Sequence, residues 1–192
     1  KQYSEWHRYN STTPYSATKA AGEELCLAYA NTYKLPLFVT HCMNAFGERQ
    51  HPEKFIPNTI NKVLGHETVT IHANSKRTEA GSRFYIHARN VAAAVLFLLD
   101  RAAQREKYNI VGEMEVDNLH LARMIALELG RNLRFVMLDF HSLRPGHDLR
   151  YALDGSKMAN MGWQIPLEFE ESLQKTIFWY LQNPHWLKWP TQ

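Results

Sequence analysis

Residues 13–24 read TPYSATKAAGEE, and the reading of this stretch decides the fold. Pro14 can open a helix, because the first helical position has no use for its N–H. From there Ala17, Ala20, Ala21, Leu25 and Ala28 recur at helical spacing. On such a helix Tyr15 and Lys19, four apart, share one face. An ammonium beside a phenol favours the phenolate. A phenol so tuned can take a proton from an alcohol while hydride leaves the same carbon. The small residues Ser16, Ala17, Ala20, Ala21 and Gly22 let a cofactor or a second helix approach. Tyr and Lys are also common on exposed helix faces, so the pair alone admits a purely structural reading.

Outward from this helix, strand and helix patterns alternate. Residues 1–13 have no clear period and read as loop. LPLFVTHCMNAFG (35–47) reads as a buried strand running into a loop broken at Gly47. EKFIPNTINKVLGHE (53–67) reads as a helix opened near Pro57 and closed near Gly65. Strands are predicted at 68–73, 84–88, 107–112 and 133–138, with a polar loop over 74–83. Helices are predicted over 89–102, 118–130 with Gly130 as its stop, and 169–184. The alternation argues an α/β architecture with largely parallel pairing. The chain shows no internal repeat or linker, so 1–192 is expected to form a single unit.

The bulk numbers suit that reading. Of 192 residues, 45% are hydrophobic and 21% charged, which permits a sizeable core. The net charge of +3 is spread along the chain, with no basic block that would suggest nucleic acid, though a mild positive bias suits an anionic nucleotide. Two cysteines, Cys26 and Cys42, are too few for a disulfide framework, and both are expected as reduced core or near-core residues. No apolar run is long enough to span a bilayer and no signal-peptide pattern opens the chain, so a cytoplasmic location is expected. The ten histidines form no tight ligand spacing, so no metal site is expected. Trp179, Tyr180, Trp186 and Trp189 are expected to clamp the last helix onto the core.

The string PYSATKAAGEEL resembles the active-site helix of the extended short-chain dehydrogenase/reductase family, and within it the nucleotide-sugar 4,6-dehydratases. THCMNAFGERQHPEKFIP, RPGHDLRYALDGSKMANMGWQI and LQKTIFWYLQNPHWL are similar, in order, to further segments of that group. The resemblance runs over essentially the whole chain. It implies the C-terminal part of a Rossmann-like doubly wound sheet together with a smaller substrate-binding lobe. Residues 1–50 would end the nucleotide-binding sheet, and 51–192 would be mostly lobe with returning sheet elements.

The resemblance also implies roles. Tyr15 would be the base, and Lys19 would tune it and hold the nicotinamide ribose of NAD, with Cys42 also at the cofactor. Asn44 would contact the substrate diphosphate, or be an ordinary turn residue. Glu53, Lys54 and Phe55 match an element lying along the nucleotide-sugar. Asn109 ends a strand, where open α/β sheets place ligands. Arg144 and His147 look like diphosphate ligands, an Arg fork matching phosphate geometry. A further phosphate-binding Arg would be Arg83 or Arg77.

Two expected features are absent from these residues. One is the glycine-rich phosphate loop that follows the first strand of such folds. The other is the Thr-Asp-Glu segment that in the dehydratases removes water across C5 and C6; Glu23 and Glu24, beyond the Lys, are not substitutes. The chain is therefore expected to be the C-terminal part of a dehydratase that binds a nucleotide-sugar, with a homodimer as an open alternative to a monomer, which leaves its activity by itself open. A 4-epimerase or decarboxylase of the same family, or a non-catalytic sugar-nucleotide-binding domain, are the rival readings.

Overall fold

A computed structural model describes residues 1–139 and 149–188. Arg144, His147 and Trp189 lie outside the described residues. The Tyr–Lys stretch is helical: α1 spans Pro14–Tyr33. Thr13 caps it by accepting from the Ser16 N–H at 3.1 Å, and Ser16 Oγ accepts from the Thr13 N–H at 3.1 Å. Pro14 takes the first helical position, and Lys34 ends the helix with φ 56°.

The predicted strand at 35–47 is two short strands that change partners. β1 (Val39–Cys42) runs parallel to β5 (Lys107–Ile110). β2 (Asn44–Phe46) runs parallel to β4 (Ser82–His87). Met43 links them, its N–H donating to the Ile110 carbonyl at 3.0 Å. β3 (Val69–Ala73) pairs parallel with β7 (Phe135–Asp139). β4 also takes β6 (Glu115–Asp117) antiparallel and β8 (Arg150–Tyr151) parallel. Four of these five pairings are parallel, as the alternating pattern predicts.

The remaining helices are α2 (Phe55–Leu64), α3 (Ala88–Leu99), α4 (Asn118–Glu128), α5 (Ser156–Asn160) and α6 (Phe169–Gln182), followed by a 3₁₀ turn at Pro184–Leu187. Helix α2 begins at Phe55, two residues before the expected opening. Pro57 is tolerated because first-turn N–H groups have no intrahelical partner. Ser82 and Arg83, expected in a loop, belong to β4, because β6 and β8 supply backbone partners from distant sequence. Gly130 follows α4 with φ 61°, as its predicted stop requires.

One apolar cluster joins α2, α4 and α6 through Ile56, Ile60, Leu121, Ile125, Leu173, Ile177 and Tyr180. A second surrounds β5 with Met43, Ile86, Leu98, Tyr108, Ile110 and Met158. A third lies under β3, with Val63, Val69, Ile71, Ala122 and Ala126. Tyr180 is fully buried, and Trp179 stacks at 5.9 Å on Trp186, so these aromatics pack the last helix as expected. Just past β5, Gly112 approaches the Tyr85 carbonyl so closely that a Cβ would stand 2.1 Å from it, which explains the glycine at this strand end.

The cysteines correct an expectation. Cys26 and Cys42 are free thiols, and both are exposed rather than core. Cys26 rides on α1, which buries only Leu27 and Ala30, and Cys42 is the exposed last residue of β1. Among the described residues, no helix is long and apolar enough to cross a membrane.

Candidate functional site

Tyr15 and Lys19 lie in the first two turns of α1, one helical turn apart on one face. Tyr15 is 73% exposed and Lys19 is exposed. Thr18 Oγ1 donates to the Tyr15 carbonyl at 2.8 Å. Among the described residues, the phenol and the ammonium have neither a hydrogen-bond nor an ion-pair partner. Both side chains are thus available to a ligand.

The same face continues to Glu23, one turn beyond Lys19, and there it meets the sheet. Glu23 Oε2 accepts from His41 Nε2 at 2.8 Å and from the Tyr9 hydroxyl, and stands 3.4 Å from Lys107 Nζ. Burial pushes the Glu23 carboxyl up, but the hydrogen bonds from Tyr9 and His41 and the charges of His41 and Lys107 outweigh it, leaving its pKa below the ordinary carboxylate value. Lys107, only 2% exposed, donates to the Tyr9 oxygen at 2.5 Å and lies over the rings of Trp6 and Tyr9 at 4.8 and 4.7 Å. Burial first, and then Glu23, raise the Tyr9 pKa. Because α1 returns into β1 through five residues, the two run antiparallel. With Glu23 at His41, near the end of β1, Lys19 and Tyr15 project roughly 6 and 12 Å further. That puts them past the carboxyl ends of the parallel β1–β5 pair, where open α/β sheets hold ligands.

The other expected residues divide into groups. Cys42 and Asn44 flank the partner switch at Met43, both exposed. Glu53 and Lys54 are exposed beside the N-terminus of α2. The Glu53 N–H reaches His51 Nδ1 at 3.4 Å, and Lys54 is the cap residue. Phe55 packs partly buried against the cores on either side of α2. Arg83 Nη1 donates to the carbonyls of Ser82 at 2.6 Å and Leu149 at 2.7 Å. Arg77 is exposed in a turn with φ 57°.

Asn109 is 1% exposed, and its side chain is committed within the chain. Its Nδ2 donates to the carbonyls of Tyr3 at 3.0 Å and Asp154 at 2.9 Å, and its Oδ1 meets His41 Nδ1 at 3.0 Å. Its backbone N–H donates to Glu5 Oε1 at 3.2 Å. Sequence reading overlooked Glu23, His41, Lys107 and Tyr9 as a group. The one signal available was the Tyr15, Lys19, Glu23 spacing of four and four; the other members come from separate segments. Near β8, Arg150 holds Glu115 through Nε and Nη2, both at 2.7 Å, and with Ser82 keeps that carboxyl's pKa low. No group of three or more His, Cys, Asp or Glu side chains that could hold a metal occurs among the described residues.

Known proteins share this fold. The chain is 32% identical over 191 residues to a probable dTDP-glucose 4,6-dehydratase of Sinorhizobium fredii, covering 96% of this chain and 53% of that protein. The crystal structure of the Bacillus anthracis dTDP-glucose 4,6-dehydratase in complex with NAD superposes with a TM-score of 0.84 at 31% identity, covering 98% of this chain and 59% of that one. A UDP-glucuronic acid 4-epimerase of Bacillus cereus shares the fold, with a TM-score of 0.84 at 20% identity over 95% of this chain and 57% of that one. The chain spans about half the length of the relatives it matches. The NAD dependent epimerase/dehydratase family matches residues 1–111, from the N-terminal segment through α1 to the end of β5. By its sequence and its fold, the chain belongs to the NAD-dependent epimerase/dehydratase family.

Proposed function

We propose that these residues are the C-terminal part of an NAD-dependent nucleotide-sugar 4,6-dehydratase, acting on a dTDP-hexose in the cytoplasm. The carrying observation is the exposed Tyr15–Lys19 face, without a partner among the described residues and one and two helical turns before the Glu23–His41 contact with β1. The residues present fit one end of the dinucleotide. Lys19 is free to meet a ribose, and exposed Cys42 at the strand end leaves room beside it. The chemistry a bound NAD would supply is a hydride acceptor at sugar C4 and a hydride donor at C6. Tyr15 would take the C4 hydroxyl proton in the oxidation of the C4 alcohol to a ketone. Lys19, one turn away, supplies the positive charge that favours the phenolate. Loss of water across C5 and C6 needs an acid and a base that this chain does not carry.

Asn44, Lys54 and Glu53 would line the nucleotide-sugar with Phe55 as an apolar wall, and Arg83 with Arg144 and His147 would meet the diphosphate. Asn109 would serve this site by holding His41. In this reading residues 1–50 close the nucleotide-binding sheet and 51–192 form mostly the substrate lobe, and α1 is the surface on which a homodimer would form. The dehydratase reading is favoured over the 4-epimerase reading because the relatives at 31–32% identity are dehydratases, while the epimerase structure stands at 20%.

The test is calorimetric titration with NAD and, separately, with dTDP-glucose, followed by mass analysis of the sugar product. In the catalytically complete protein, binding of both ligands and loss of one water from the sugar are expected. In the catalytically complete protein, Tyr15→Phe should lower turnover by roughly 10²–10⁴-fold. A product of unchanged mass with inverted C4 would establish an epimerase instead, and binding of neither ligand would overturn the assignment.

A further inference from the structure

Helix α1 is long and carries the reactive pair, yet it buries only Leu27 and Ala30. Apolar packing therefore supplies little to fix its rotation about its own axis. The polar group around Glu23 provides what packing does not. Its hydrogen bonds also fix where each proton sits. Asn109 Nδ2 donates to two carbonyls, so the atom facing His41 is its oxygen. An amide oxygen only accepts, so His41 Nδ1 is a donor. Lys107 donates to the Tyr9 oxygen, so the Tyr9 hydrogen points at Glu23. The Glu23 carboxylate also only accepts, so His41 Nε2 is a donor too. His41 thus donates from both ring nitrogens, to the helix on one side and to Asn109 on the other.

We infer that Glu23, through His41 and Asn109, is a positioning residue that sets the seat of the Tyr15–Lys19 helix on the β1–β5 sheet. The relay runs on to the carbonyl of Asp154, two positions past Ala152, whose own carbonyl takes the Tyr3 N–H at 3.0 Å. One continuous path therefore ties α1 to β1, β5, the N-terminal segment and the chain that leaves β8. The groups facing Glu23 are Tyr9 from the N-terminal segment, His41 from β1 and Lys107 from β5. Its helix neighbour Glu24 stands 3.8 Å from the same Lys107. The consequence for catalysis rests on the Tyr15–Lys19 reading above; the seat itself does not.

The depressed Glu23 pKa sets the sign with pH. The ionised carboxylate's contribution is present above the ordinary Glu range and is lost as pH falls through its lowered native value. The test is amide hydrogen exchange, expressed as protection factors, over α1 and over β3 and β7 as an internal reference. Glu23→Gln should reduce α1 protection by roughly tenfold or more and abolish its acid-side step, with β3 and β7 unchanged. Glu23→Asp should restore part of both, Tyr9→Phe should give a smaller loss in a variant that keeps its packing, and exposed Glu24→Gln should stay near wild type. Unchanged α1 protection in Glu23→Gln, or an acid step that survives there, would overturn the inference. NAD titration of the catalytically complete protein judges the other reading separately. Failure of that protein to bind NAD counts against Tyr15 and Lys19, while the exchange result alone decides the seat.

Discussion

Helices α1 and α2 are held in opposite ways. Helix α1 has twenty residues and buries two; α2 has ten and buries five, namely Ile56, Pro57, Thr59, Ile60 and Val63. The N-terminus of α1 has a reciprocal side-chain cap, whereas Lys54 caps α2 without any side-chain hydrogen bond. Burial can thus replace capping, and capping with polar tethers can replace burial. The helix that carries Tyr15 and Lys19 uses the second solution, which leaves its face open. A side chain meant to meet a ligand cannot also be spent in a core.

Substitutions in the two helices can break this contrast or sharpen it. The largest effect belongs to the packed helix. Ile60→Ala removes a fully buried side chain from the cluster joining α2, α4 and α6, and should cost about 2–5 kcal/mol in denaturant unfolding. An effect near zero would mean that α2 is not held by burial. Next, Thr13→Ala deletes the α1 cap and should cost about 0.5–2 kcal/mol, seen as faster amide exchange confined to the first turns of α1. Exchange that rises equally in α2 would dissolve the distinction. On the packed side again, Tyr180→Phe keeps the ring and loses only what its hydroxyl gives to the carbonyls of Gln50 at 3.0 Å and Gly47 at 3.4 Å. Burial pushes that hydroxyl's pKa up to about 12, so it stays a donor, and its loss should cost about 0.5–1.5 kcal/mol by thermal or denaturant unfolding. The smallest stability effect is expected where the functional effect is largest. Tyr15→Phe should leave unfolding within about 0.5 kcal/mol of wild type, because the phenol is exposed and has no partner among the described residues. A large destabilisation there would show that Tyr15 is structural.

The parts read correctly from sequence are those that local chemistry specifies. Pro14 and the alanine spacing marked α1, KYNIV marked β5, and Gly130 marked the end of α4. The misses share one cause. Residues 35–47 read as one buried strand running into a loop; a second strand forms there because β1 and β2 find different partners, β5 and β4. Strands β6 and β8 have three and two residues, too short to show a period, and exist because β4 offers them hydrogen bonds. Asn109 stood at a strand end, which sequence reads as a ligand position, but segments more than forty residues away in either direction consume its side chain.

The sequence by itself determined the alternation of strands and helices, the largely parallel pairing, the family, and the Tyr15–Lys19 face, because each follows from spacing along one element or from a run of residue types. Tertiary structure alone decided which strand partners which, that both cysteines are exposed, that Arg83 binds the Leu149 carbonyl while Arg77 sits in an exposed turn, and that Glu23 meets His41, Lys107 and Tyr9. Those facts depend on which distant groups the folded backbone brings within hydrogen-bonding distance, and no local pattern encodes that proximity.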